Sequence, residues 1–290
     1  MTRKNIFEIL KSNYDVSKEM NKITILFSSK LCYYEDYDRY LTKHTIGITL
    51  EEIFDIEILP KWKQRGTFLS YKEIREVIRL NDVFTDKTPT HKIISCLEYY
   101  YNILHLILVK FDLSHNGKYK YDRTKLRFMI ENMNILTDYL HYKKYPIEED
   151  EKVILIPKDP AAIAVAEIST KNTAIAILQY HHDSLKGNLD EKRKLLIAIA
   201  HEYEALLKNP IDGFSDFFKK AKDMLNNLNI RHNNTMGKNK KDLLMNMSDA
   251  DLEKWYDELY QLLLFCVLIK DNVKRKRDIE EFLKKYIHRE

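Results

Sequence analysis

Phe214-Ser215-Asp216-Phe217-Phe218-Lys219-Lys220-Ala221-Lys222-Asp223-Met224-Leu225-Asn226-Asn227-Leu228-Asn229-Ile230 decides the fold class of this chain. Phe214, Phe217, Phe218, Ala221, Leu225 and Leu228 recur at steps of three and four, with lysines and carboxylates between them. That is one apolar stripe on a helix, which must be buried against other helices or a sheet. Pro210 and Gly213 break the chain just before it. Straight after it comes Arg231-His232-Asn233-Asn234, a permanent cation, a titratable imidazole and two carboxamides where the helix runs out.

The same reading extends outward. Ser248-Asp249-Ala250-Asp251 caps a last long helix carrying Leu252, Trp255, Tyr256, Leu259, Leu263, Cys266 and Val267. Upstream, Asn188 caps a helix from Leu189 to Leu207, and Ala161 to Leu185 is Ala- and Ile-rich. Residues 161–285 therefore read as a four- to five-helix bundle.

Further back, Ser70-x-x-Glu73 opens a helix through Ile78, and Pro89 opens another through Leu108. Arg123 to Tyr142 is a third, with Leu126, Met129, Ile130, Met133, Leu136 and Leu140 on one face. Lys144 to Ile147 and Val153 to Ile156 are short extended segments around the acidic run 148–151, a small β-hairpin near 144–156. Residues 1–60 are mixed, with short apolar groups such as Ile23 to Phe27. The fold class expected is all-α, in two domains: a mostly helical 1–156 ending in the hairpin, and the bundle 157–290.

Composition supports long helices. Six Gly and six Pro in 290 residues leave few turns, and 44% hydrophobic with 32% charged residues is globular. The net charge of +4 is modest, so nucleic-acid contact would have to be local. Cys32, Cys96 and Cys266 are far apart, as expected of reduced core thiols in a cytoplasmic protein. The opening residues lack a long apolar core, so no signal peptide is expected. Leu262 to Ile269 is too short to span a bilayer, and no membrane association is expected.

No GxGxxG, GxxxxGK[ST] or GxSxG occurs, which disfavours nucleotide-loop and serine-hydrolase chemistry. The chemistry concentrates at Arg231 and His232. A guanidinium beside an apolar stripe requires an anion, a carbonyl or solvent, and it suits a phosphate. An adjacent imidazole exchanges protons near neutral pH, which cleavage through a ribose 2′-hydroxyl requires. Asn233 and Asn234 are candidates to orient base, ribose or phosphate. The competing reading is that Arg231 and the asparagines simply finish the helix, since cations favour C-termini and Asn tolerates the left-handed conformation. A second cluster, Tyr180-His181-His182-Asp183-Ser184-Leu185-Lys186-Gly187, adds His182 and Lys186, with Glu167, as candidate positioning groups; a polar helix end stopped by Gly187 is the alternative. Lys274-Arg275-Lys276-Arg277 is a basic run that suits RNA phosphates or a solvated face. Nothing calls for a metal or an organic cofactor.

Arg231-His232-Asn233-Asn234-Thr235-Met236-Gly237 resembles the signature of the HEPN superfamily: Arg, usually a polar residue next, then further residues, then His, often followed by Gly. Here the Arg, the polar second position and the Gly match, and Met236 stands in the place of the His. The resemblance covers about 157–275 and extends to an uncharacterised group of bacterial abortive-infection-type proteins. It implies a HEPN-like helical bundle, a homodimer, and metal-independent endoribonuclease or RNA-binding activity in antiphage defence, alongside a partner protein of the defence system. The alternative is a catalytically inactive dimerisation or docking module.

Overall fold

The computed structural model describes residues 14–63, 66–77, 83–110, 118–147, 152–232 and 246–287. Eleven α-helices and five short strands are found among them. The chain is largely helical and divides into two compact units, Met1–Leu155 and Ile156–Glu290.

In the first unit, α1 (Val16–Phe27) starts at Asp15, whose carboxylate accepts the Lys18 amide at 3.0 Å. Met20, Ile23, Thr24 and Phe27 share its buried face. Strands β1 (Cys32–Tyr37) and β2 (Lys43–Ile48) pair antiparallel, Cys32 opposite Ile48 and Tyr37 opposite Lys43. After them come α2 (Leu50–Ile53), which widens into a π turn at Phe54–Ile58, and α3 (Tyr71–Val77). The buried α4 (Thr90–His105) also widens, at Leu106–Lys110. Strand β3 (Lys120–Tyr121) joins the free edge of β1, giving the order β2-β1-β3. α5 (Arg123–Tyr139) packs on α1, and β4 (Tyr142–Ile147) pairs with β5 (Lys152–Pro157). Phe27 stacks on Tyr100 of α4 at 4.0 Å, and the Tyr100 hydroxyl donates to Thr24. Glu51 is a buried carboxylate, 3.4 Å from the Arg75 guanidinium. Burial outweighs that cation and pushes its carboxyl up to about 7.

The chain is largely helical, as expected, but it carries more sheet than the one expected hairpin. Residues 32–48 form a hairpin, and β3 completes a three-stranded sheet. The hairpin turn uses Leu41 at φ 64° where a glycine or asparagine is usual, and is held instead by the Asp38 carboxylate, which accepts the Tyr40 and Thr42 amides. Ile23–Phe27 is helical despite its β-branched residues, because the face it shares with Met20 is buried.

In the second unit, α6 (Pro160–Glu167), α7 (Lys171–Gln179), α8 (Leu189–Glu202), α9 (Glu204–Lys208), α10 (Ser215–Asn227) and α11 (Asp249–Tyr286) surround one core. Six helices form among the described residues of this unit, where four or five were expected. The Ala-rich stretch breaks at 168–170, where Thr170 is extended and its amide and hydroxyl are both taken by the Glu202 carboxylate. The expected helix 189–207 turns at Tyr203, whose hydroxyl bonds Ser169. α11 is 38 residues long; its last buried residue is Ile269, and the remainder is charged and largely exposed.

Candidate functional site

The end of α10 is built by ordinary helix physics. Phe218, Ala221 and Leu225 point into the core, followed by Leu228 and Ile230. Phe214 and Phe217 do not; each is 39% exposed, and Phe217 packs edge-on against Phe265 on the surface. Between the two buried anchors Leu228 and Ile230, Asn229 takes φ 60°, the left-handed position that Asn tolerates. The reversal lets the Arg231 amide donate to the Leu225 carbonyl at 3.1 Å. Arg193 on α8 closes the end by donating from Nε to the Asn229 carbonyl. Helix finishing therefore accounts for Asn229 and for the backbone of Arg231.

It does not account for the Arg231 side chain. Its Nη2 is buried and has no hydrogen-bond partner, and the guanidinium makes no ion pair among the described residues. A buried donor left unmade costs about 1–3 kcal/mol. The charges near it are mixed. Glu204 is exposed, and its carboxyl is held below the usual range by Lys208 first, then by the fields of Arg231 and His201. His232 follows Arg231 and is exposed. Chemically, this is a cation with a free donor beside a solvent-facing imidazole, with a second imidazole, His201, at the end of α8. Asn233 and Asn234 lie outside the described residues, as do Met236 and Gly237.

The other candidates sit elsewhere on the same unit. His182 caps the short turn Asp183–Leu185: its Nδ1 accepts the Ser184 amide at 3.2 Å and lies 2.7 Å from the Ser184 hydroxyl. Lys186 closes that turn, and Gly187, at φ 77°, donates its amide to Glu253 on α11. Glu167 ends α6 and lines a cavity of about 500 Å³ with Phe214, Phe265 and Arg275. His182, Lys186 and Glu167 share no hydrogen-bond or ion-pair partner with Arg231 among the described contacts.

Sequence reasoning missed the residues that hold this region together. Lys192 is almost fully buried and bridges Asp257 at 2.7 Å and Glu253 at 2.8 Å. It also lies over the Tyr180 ring, which stacks flat on Tyr260 at 4.1 Å. His181 meets both rings edge-on, and burial lowers its pKa. In sequence, Asp190-Glu191-Lys192-Arg193-Lys194 has the look of a solvated face; only the tertiary partners reveal that Lys192 and Arg193 point inward.

No group of three His, Cys, Asp or Glu able to hold a metal ion occurs among the described residues, and no helix among them is long and apolar enough to cross a membrane. Compared with known proteins, the chain matches no family, no curated protein and no solved structure.

Proposed function

We propose that the second unit is a HEPN-like RNA-binding domain of an antiphage-defence protein, and that Arg231 receives the phosphate. The observation that carries this reading is the Arg231 guanidinium, buried at Nη2 and without a partner among the described residues, on a backbone held by its own amide and by the turn at Asn229. A phosphate oxygen supplies the acceptor that the described residues do not. In the cleaving form of this function, Arg231 offsets charge on the scissile phosphate while His232 moves the 2′-hydroxyl proton. His201 is the further imidazole on this side of the unit, and it offers a second proton carrier in a chain whose signature position is Met236. Dimerisation about a two-fold axis would place two such loops in one cleft.

The test is incubation of the purified protein with total RNA in EDTA, beside Arg231→Ala, His232→Ala and His201→Ala. Loss of binding in Arg231→Ala, and loss of cleavage with retained binding in His232→Ala, is the expected result. Cleavage that survives both substitutions overturns the site. A second reading, a docking module without catalysis, draws on Met236 at the signature position and on the surface pair Phe217 and Phe265. It is distinguished by RNA that stays intact while Phe217→Ser changes the oligomeric state in light scattering.

A further inference from the structure

The basic run on α11 opens onto a groove that the reading above does not use. The loop 209–214 after α9 faces α11 across a cavity of about 1080 Å³. That is slightly above the range that encloses a single small ligand, about 300–1,000 Å³. Lys270, Lys274 and Arg277 line it, at steps of four and three residues that keep them in one row about 10 Å long. All three are exposed and make no ion pair among the described residues. Their neighbours differ: Arg275 is held by Asp271 at 2.5 Å, and Lys276 lies 3.9 Å from Glu280. Lys276 also lines the groove, and Asp212 is the one carboxylate among its described lining residues. Phe214 lines it as well, half-exposed at a position where the apolar stripe of α10 should have buried it.

A row of unpaired cations facing an aromatic across a groove is how single-stranded nucleic acid is held: cations follow the phosphates, and a base stacks on the ring. We infer that the groove between loop 209–214 and α11 is a path for single-stranded RNA, with Lys270, Lys274 and Arg277 on the phosphates and Phe214 under a base. The choice of RNA rests on the reading of this unit as an RNA-binding domain; the site itself is separate from Arg231. A lipid surface fits less well, because the cations line a concavity that a flat headgroup layer does not enter.

The experiment is fluorescence anisotropy of the full chain with a labelled 12-nucleotide single-stranded RNA, over a salt series. Three phosphate contacts at a slope of about 0.7 each make the triple substitution K270Q/K274Q/R277Q bind about 100-fold more weakly at 0.1 M salt, and flatten the salt slope by about 2. Phe214→Ala should weaken binding about tenfold, and Phe214→Tyr should restore it. Circular dichroism checks that each variant is folded.

If the triple variant binds like wild type, the path is overturned; if Arg231→Ala still weakens binding, the proposed function survives that failure. Loss in the triple variant with no loss in Arg231→Ala supports the path and removes the Arg231 site. If Phe214→Ala changes nothing while the triple variant loses RNA and heparin equally, the groove is a general polyanion surface and the inference is wrong. It is equally wrong if vesicles of 30% phosphatidylserine in phosphatidylcholine outcompete the RNA and that binding vanishes in the triple variant.

Discussion

Replacing Glu51 with Gln should make the first unit more stable, and only above about pH 5. The carboxyl is nearly inaccessible and titrates near 7 in place of the ordinary 4.5. At 1.36 kcal/mol per pH unit this corresponds to about 3 kcal/mol. The attraction of Arg75 is already inside that value, since Arg75 pulls the carboxyl down and burial overrides it. Between about 4.5 and about 7 the native state keeps a proton that the unfolded chain has lost. Unfolding free energy therefore falls as pH rises through this window and is flat beyond it. A neutral amide at this position carries no such loss. The variant Glu51→Gln should equal wild type near pH 4.5 and exceed it by up to about 3 kcal/mol at pH 8. Urea unfolding in a Trp255→Phe background isolates the signal, because Trp62, edge-on to Phe54 at 6.0 Å, then reports the first unit alone. A variant at least 1 kcal/mol less stable than its background at pH 8 would refute the reasoning, since the Arg75 ion pair would then outweigh the burial penalty. A difference that does not change with pH would refute it too.

Three further outcomes are expected. Lys192→Met should destabilise the second unit by about 1–3 kcal/mol at neutral pH, because it leaves Glu253 and the partly exposed Asp257 without their cation; adding Glu253→Gln and Asp257→Asn should recover most of the loss, read from Trp255 fluorescence in urea. Asn229→Ala should cost about 1–2 kcal/mol at φ 60°, whereas Asn229→Gly should be close to neutral in the same assay. The thiols of Cys32, Cys96 and Cys266 are pushed up by burial, to about 12, 12 and 11, so none should react with a disulfide reagent at pH 8 until urea is added.

Periodicity carried a large part of the fold, and partner-dependent burial set its limit. The stripe from Phe218 to Leu228 and the Ser248 cap announce α10 and α11 because both signals are local. Asp122 likewise caps α5 through the Lys125 amide, and His141, at φ 61°, lies just past its end. The hairpin 32–48 was illegible because Tyr33-Tyr34-Glu35-Asp36-Tyr37 does not alternate and its turn holds no glycine. Its side-chain contacts are cross-strand: Glu35 bridges Lys43 and Lys120, which lie far apart in sequence and pull its carboxyl down to about 2. At the candidate site, Arg231 stood out in sequence because a cation beside an apolar stripe is a local conflict. Arg193 did not, since it reaches the Asn229 carbonyl only through the tertiary packing of α8.

The length of α11 has a consequence for how its basic half comes to exist. Beginning a helix is the unfavourable step, and isolated helices of fewer than about 15 residues are marginal in water. None of residues 270–286 is fully buried, so they have little packing of their own to offset that step. The nucleus is supplied by Tyr256 to Ile269, wedged in the core, and the helix then propagates outward one hydrogen bond at a time. The charged half is thus conditional structure. A break placed at the junction, such as Asp271→Pro, would leave the core standing and let the distal segment melt, taking with it the regular spacing of Lys274 and Arg277.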